Sequence, residues 1–437
     1  MSTDVRRAAE SAKAASRRLA TLTPRSKSAA LDEIAARLEA GAAAILEANA
    51  ADVGEAEERA ARGDMTEALL SRLRLDAAKL AGMVDGVRAV ARLEDPAGRV
   101  LTRTLLDDGL VLEKVSCPLG VLAAVFEARP DAVTQISALA IKSGNAVILK
   151  GGREAARSTA ALVGAIRAGL AEAGLPEDAV QSIPDRESVD ALLALDDLVD
   201  LVIPRGSNAL VKSIRERTRI PVLGHAEGVC HVYVDAAADP EMALSIVLDS
   251  KLTYPAACNA VETVLVHRAT VADVMLPLLG TLLENRVEVR GCEETCAAAH
   301  GLPVAPATEE DWRTEYGAPV VSVKVVESLD EAIAWVNRYG SSHTEAIVTG
   351  DRLAAERFLA EVDAAGVYHN ASTRFADGMR YGLGAEVGIA TGKLHARGPV
   401  GLEGLVTYRW ILRGHGQVTA SYGPQGRAFR HEKLPVH

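Results

Sequence analysis

Aromatic side chains are scarce, 3% of 437 residues, so aliphatic side chains must fill the cores. Cysteine is sparse and odd in number. The five, Cys117, Cys230, Cys258, Cys292 and Cys296, are poor material for a disulfide framework in so long a chain. Cys292 and Cys296 stand four apart, but no second His or Cys pair follows at zinc-site spacing, so no metal is expected. No apolar run reaches the roughly 18 residues of a candidate membrane span. Nor is there a lysine- or arginine-rich block, and the formal net charge is -11, which argues against nucleic acid as a partner.

What is present is ordinary for a globular enzyme: 49% hydrophobic and 24% charged residues, with length for two or three domains. Residues Met1 to Leu22 carry the arginines, serines and alanines of a transit peptide. Asp4 and Glu10 speak against one, and the apolar spacing continues through Ala29, Leu31, Ile34 and Leu38 as in a plain first helix. With no secretory apolar segment, the cytoplasm is the expected location.

The first hundred residues read as helices. Around Asp108-Gly109 two short β-like runs, Leu101 to Lys114, form a hairpin signal and a candidate oligomerisation arm. Strands then alternate with helices: Gly120 to Glu127, Ala146 to Lys150, Val180 to Ile183, Leu198 to Ile203, Ile220 to Leu223 and Cys230 to Val234. That alternation predicts a parallel sheet, with ligands beyond the carboxyl ends of its strands. Asp239-Pro240 opens a second α/β stretch, with strands near Val261 to Val266, Val321 to Val326, Ala346 to Val348 and Val367 to His369. Residues after about Ala420 lack periodicity and read as a loosely held tail.

Three segments carry chemistry. In Lys251-Leu-Thr-Tyr-Pro-Ala-Ala-Cys258-Asn259-Ala260, a helix ends and small residues leave room beside a sulfur just before a strand. The residues alone leave Cys258 either a nucleophile or a buried packing thiol. In Ala146 to Glu154, a strand ends in Lys150, then Gly151-Gly152-Arg153 leads into a helix whose amino end favours an anion. A tight turn is the plain alternative. Pro204-Arg205-Gly206-Ser207-Asn208 is a second such turn. Cys230 and His231 suit a strand better than a metal site.

Taken in order, these segments resemble the aldehyde dehydrogenase superfamily. Tyr339-Gly-Ser-Ser-His343-Thr-Glu345, Asn370-Ala-Ser-Thr-Arg374-Phe-Ala-Asp377-Gly and Leu394-His395-Ala-Arg397-Gly398-Pro399 are similar to its gamma-glutamyl phosphate reductases, to about Gly416. One departure is Trp335-Val336, where His-Ile is expected; it reads as a tolerated change on a helix surface.

The resemblance implies an α/β fold with a Rossmann-type parallel-sheet cofactor domain (1–100 and 115–237) and a second α/β catalytic domain (238–399). It further implies a small β oligomerisation arm (101–114 with roughly 400–420) and a tail (420–437), the whole a homo-oligomer. Cys258 would attack L-glutamyl 5-phosphate and expel phosphate. Lys150, Gly151, Arg153, Gly206, Ser207 and Glu315 would bind the cofactor. NADP(H) is expected because Arg153 stands where NAD-using members carry a glutamate; the neighbouring Glu154 is the counter-signal. Arg129, Asn259, Arg374 and Arg397 would bind substrate, the arginines by bidentate pairing with its anionic groups. His225 and His395 rank low as proton carriers.

Two family features are missing. Phe126-Glu-Ala-Arg-Pro130 lacks the asparagine that supplies an oxyanion donor, and Gly224 stands at the water-activating glutamate, with Glu227 three residues on. Hydrolysis of another small aldehyde is therefore the less favoured enzymatic alternative. A non-catalytic partner of glutamate 5-kinase is the other, and association with that kinase would protect a labile acyl phosphate.

Overall fold

Alanine and leucine at helical spacing fold the amino-terminal region into helices Ser2–Leu19, Pro24–Ala40, Ala42–Ala61, Glu67–Leu73 and Ala77–Arg92. Thr23 caps the second, accepting from the Ser26 N–H ahead of Pro24 at the first helical position. The computed structural model describes residues 2–183, 186–225 and 227–436. The chain divides into two compact units. One is Met1–Leu223 with Leu383–Gly388 and Val400–His437; the other is Gly224–Gly382 with Ile389–Pro399.

In the first unit, strands Val100–Asp107 and Leu110–Pro118 turn at Gly109, whose φ of 69° suits a two-residue hairpin. Val406–Arg413 adds along one edge, antiparallel. The tail departs from expectation. Glu432–Leu434 pairs with the other edge at Arg103 to Leu105, so residues after 420 are not loosely held. Their periodicity is poor because polar contacts hold them: Tyr422 donates to Asp107 at 2.9 Å, and Arg427 pairs with the same carboxylate at 2.7 Å.

The same unit holds a parallel sheet in the order 180–182, 146–150, 121–126, 201–205. Helices Pro130–Ser143 and Ala156–Glu172 follow its central strands, and Gly144 ends the first at φ 82°. The strand expected at Ile220 to Leu223 shrinks to one bridge between Val202 and Val222. Pro221 supplies a carbonyl but no N–H, which stops the ladder.

The second unit is built on seven parallel strands in the order 304–306, 288–291, 320–326, 261–267, 230–234, 344–348, 366–369. Valine-rich strands buried on both faces mark this kind of sheet. Val232, Val264, Val266, Val323 and Val348 share one core with Leu278, Leu279 and Leu282. Cys230–Val234 belongs here, between Val261–His267 and Thr344–Val348, not with the first α/β stretch. Its hydrophobic pattern suits either sheet, so only pairing decides. Two further strands, Glu288–Gly291 and Val304–Pro306, escape the sequence reading because they are short, and the first alternates charge with small residues.

Candidate active site

Strand order alone gathers a set of loops. Strands 320–326, 261–267, 230–234 and 344–348 lie side by side and parallel, so their amino ends share one edge. The residues just before those ends are Thr314 to Gly317, Ala257 to Ala260, His225 to Val229 (leaving aside Ala226) and Ser341 to His343. In the first unit the cofactor candidates instead follow the carboxyl ends of strands, as expected for a parallel sheet. The loop that carries Cys258 lies instead at the amino ends of its strands.

Cys258 is half-buried in a turn closed by Ala257 N–H to the Tyr254 carbonyl and Ala260 N–H to the Ala257 carbonyl. The two ends of its loop are fastened by a buried ion pair. Lys251 Nζ, ending helix Pro240–Leu252, lies 2.6 Å from Glu262 Oε2 at the start of the next strand, both 0% exposed. Burial pushes the Glu262 carboxyl up to about 7, against the pull of Lys251. The backbone of Gly228 packs on the backbone of Cys258: a Cβ there would sit 2.0 Å from the Cys258 carbonyl oxygen.

Two imidazoles meet the sulfur. Ligand atoms of His225, Cys258 and His343 lie within 4.8 Å of one another, and the rings of the two histidines stand edge to face at 4.8 Å. His225 Nδ1 is 3.0 Å from the Ile389 carbonyl oxygen. A carbonyl only accepts, so Nδ1 carries a hydrogen, and in the neutral ring the lone pair lies on Nε2. His343 is buried, with Nδ1 at 2.9 Å from Thr344 Oγ1 and Nε2 buried without a hydrogen-bond partner. Burial, helped by His225, holds its pKa well below the usual histidine value, so the ring is neutral.

Residues 372–376 reach this loop through Ser250, whose hydroxyl contacts Ser372 Oγ at 3.0 Å, and through Thr373, which donates to the Asn259 carbonyl at 2.6 Å. They bring Arg374, half-buried, whose Nε is buried without a hydrogen-bond partner. Burial and the nearby Arg380 lower its pKa, while Cys258, close enough to act on it, raises it. Asn259 is 4% exposed and donates to the Ala376 carbonyl at 2.9 Å, so its amide braces the turn. Glu315 accepts from the Gly228 N–H at 3.0 Å, joining its loop to the glycine that backs Cys258. Arg397 is engaged elsewhere, at 3.0 Å from Asp363 and 3.2 Å from the Thr391 carbonyl.

In the first unit, Lys150 Nζ contacts the Gly151 carbonyl at 2.7 Å, and Arg153 is exposed at the start of a short 3-10 turn. Gly151 is explained by packing, since a Cβ would lie 2.9 Å from Thr159 Oγ1. Glu154 folds back to accept from the Ala128 N–H at 2.7 Å, and Ala128 itself holds the strained φ of 43°. The Ser207 N–H is taken by Glu127 at 3.0 Å, and a Cβ on Gly206 would meet that carboxylate at 2.5 Å. Arg129 caps helix Pro130–Ser143 in a non-helical conformation and is half-buried.

The model of the aldehyde dehydrogenase family matches residues 1–293 and 303–387. The chain belongs to the aldehyde dehydrogenase family. Gamma-glutamyl phosphate reductase of Cyanothece sp. is 57% identical over 422 residues, covering 96% of both chains. The enzyme of that name from Synechococcus elongatus is 52% identical and covers 99% of each. The crystal structure of gamma-glutamyl phosphate reductase from Thermotoga maritima superposes with a TM-score of 0.91 at 39% identity, covering 95% of this chain and 99% of that one.

Cys258 and Arg374, both expected at the site from sequence, lie near each other in the structure, together with His225, which the sequence ranks low, and His343, to which it assigns no role. Both histidines lie in loops whose meeting depends on strand order, and the sole local signal is the phrase Ser341-Ser-His343 before a buried strand. Cys230 and His231 are strand residues. Both are 0% exposed, His231 pairs with Glu345 at 3.0 Å, and burial drives the Cys230 thiol well above the usual value, leaving it inert. Trp335 is not a bare surface change. It meets Trp312 edge to face at 5.4 Å and lies tilted against Tyr339 at 4.3 Å, with Lys324 over its ring.

Proposed function

We propose that this oxidoreductase of the aldehyde dehydrogenase family reduces L-glutamyl 5-phosphate to L-glutamate 5-semialdehyde with release of phosphate, in proline biosynthesis, through a thioester on Cys258. The substrate comes from the name of its full-length relatives. The chemistry rests on one observation: Cys258 grouped with His225 and His343 and electrostatically coupled to Arg374.

His225 Nε2 takes the thiol proton, its lone pair fixed by the Ile389 carbonyl. The thiolate attacks the acyl carbon, and the carbon–oxygen bond to phosphate breaks with its electron pair leaving on phosphate. NADPH, when bound, supplies the hydride that reduces the thioester carbon. The resulting tetrahedral carbon expels the Cys258 thiolate and leaves the aldehyde. The Cys258 N–H is the oxyanion donor proposed in place of the absent asparagine. Arg374 receives a substrate anion through its unpartnered Nε and its terminal nitrogens.

For the cofactor, Lys150 and Glu315 would contact the two riboses, and Arg153 would meet a 2′-phosphate. The structure's donors fit that group: Arg153 is exposed, and Glu154, the side chain that would repel it, is turned to the Ala128 N–H. A pyrophosphate using the Ser207 N–H would first displace Glu127. Water activation gains little support, because Gly224 has no carboxylate and Glu227 is exposed.

The test is the reverse reaction: glutamate 5-semialdehyde with NADP+, followed at the NADPH absorbance with and without phosphate. Turnover that requires phosphate, and falls at least about tenfold with NAD+, is the expected result. Steady turnover indifferent to phosphate would replace this reading with hydrolysis.

A further inference from the structure

The three side chains grouped at the sulfur, one thiol and two imidazoles, are donors of the kind a soft divalent cation takes. We propose that His225, Cys258 and His343 bind such a cation, zinc being the reference ion, and that its binding reversibly silences the enzyme. The inhibitory half rests on Cys258 being the nucleophile; the site itself does not.

Three observations carry it. The donors are one sulfur and two imidazoles, borderline-soft groups of the kind zinc and cobalt take. Each imidazole already has one nitrogen engaged, His225 Nδ1 at the Ile389 carbonyl and His343 Nδ1 at Thr344 Oγ1. That outer contact is the one metal-ligating histidines use to fix tautomer and direction. The remaining nitrogen of His343 is buried without a hydrogen-bond partner in a residue 1% exposed, and in the tautomer whose Nδ1–H donates to Thr344 Oγ1 the lone pair on that nitrogen gains from a cation. Tetrahedral zinc places ligand atoms about 3.3–3.6 Å apart, so side-chain rotations of roughly an ångström close a group now within 4.8 Å.

Binding replaces the Cys258 proton with the metal: a sulfur–metal bond forms, the proton goes to solvent, and nothing is oxidised. Arg374 opposes the incoming charge, and the new thiolate offsets it. A fourth position is left to water, which makes the site reversible and sensitive to chelators. The metal-bound sulfur can no longer attack an acyl carbon, so occupancy and turnover exclude one another.

The full-length protein, reduced and stripped of metal, is titrated with cobalt(II) and the absorption spectrum recorded. The expected result is one ion per chain, with the visible bands of a tetrahedral site and a near-ultraviolet thiolate charge-transfer band, both erased by zinc. Cys258→Ser loses the near-ultraviolet band, and His343→Ala loses the tetrahedral bands. His225→Ala, at a half-buried position, repeats the loss if replacing the buried His343 unfolds the chain. Cobalt bound without a thiolate band, or bound unchanged by all three variants, overturns the site. A cobalt spectrum as predicted, with turnover indifferent to saturating zinc, overturns the role of Cys258 as nucleophile and leaves the site standing.

Discussion

Gly228 shows how little freedom the reactive sulfur has. A methyl group there would lie 2.0 Å from the Cys258 carbonyl oxygen and 2.8 Å from its Cα, and backbone cannot rotate away as a side chain can. Gly228→Ala should therefore displace the nucleophile, lowering kcat on the order of 100-fold with a smaller loss of stability of about 1–3 kcal/mol. Steady-state kinetics beside urea unfolding separates the two; unchanged kcat would contradict the contact. At this scale the sequence is uneven as a guide. Cys258 is legible because small residues and a proline surround it. His343 is not, because its partner His225 lies more than a hundred positions away, and nothing local says that the two rings meet.

At the scale of elements, the nucleophile loop is held by what flanks it. Lys251 and Glu262 lock helix Pro240–Leu252 to strand Val261–His267 in a fully buried pair. Lys251→Met leaves a carboxylate buried alone and should cost about 3–5 kcal/mol, whereas Lys251→Met with Glu262→Met should recover most of it. Equal losses in single and double variants, measured by urea unfolding, would deny the pair this role. The loop carrying Glu315 is anchored differently. Burial pushes the Asp311 carboxyl up, but hydrogen bonds from the Thr308 N–H and hydroxyl, with Arg290 and Tyr316, outweigh it and hold the group at about 2. A folded value below the unfolded one means stability that is present above the ordinary carboxylate range and lost as pH falls through about 2. The difference in urea midpoint between the protein and Asp311→Asn should shrink as pH drops from about 5 toward that value; a difference constant with pH would contradict it. Elements with clear periodicity and caps, such as Asp239-Pro240 or Gly144, are readable in advance. The short strands 288–291, 304–306 and 432–434 are not, because pairing rather than apolar content makes them strands.

For the molecule as a whole, composition and patterning reveal the α/β class and the hairpin arm, while the division near residue 223 depends on which sheet Cys230–Val234 joins. Among the described residues, no helix is long and apolar enough to cross a membrane. The arm carries Tyr408, Trp410 and Leu412 on one face of strand Val406–Arg413, exposed by 48%, 56% and 56%. Alternate positions of one strand share a face, and a face this apolar and open suits association of copies. On the proposal that copies associate through this face, Trp410→Asp should yield a smaller species in sedimentation with its circular dichroism retained; an unchanged mass would contradict that proposal. In the proposed mechanism a thioester on Cys258 waits for phosphate. The sharpest measurement of that step is a rapid-mixing experiment with glutamate 5-semialdehyde and NADP+ in phosphate-free buffer. It should show a burst of about one NADPH per chain, an acyl adduct on Cys258 by mass spectrometry, and steady turnover only once phosphate is added. Continuous NADPH formation without phosphate, or a burst surviving Cys258→Ala, would contradict it.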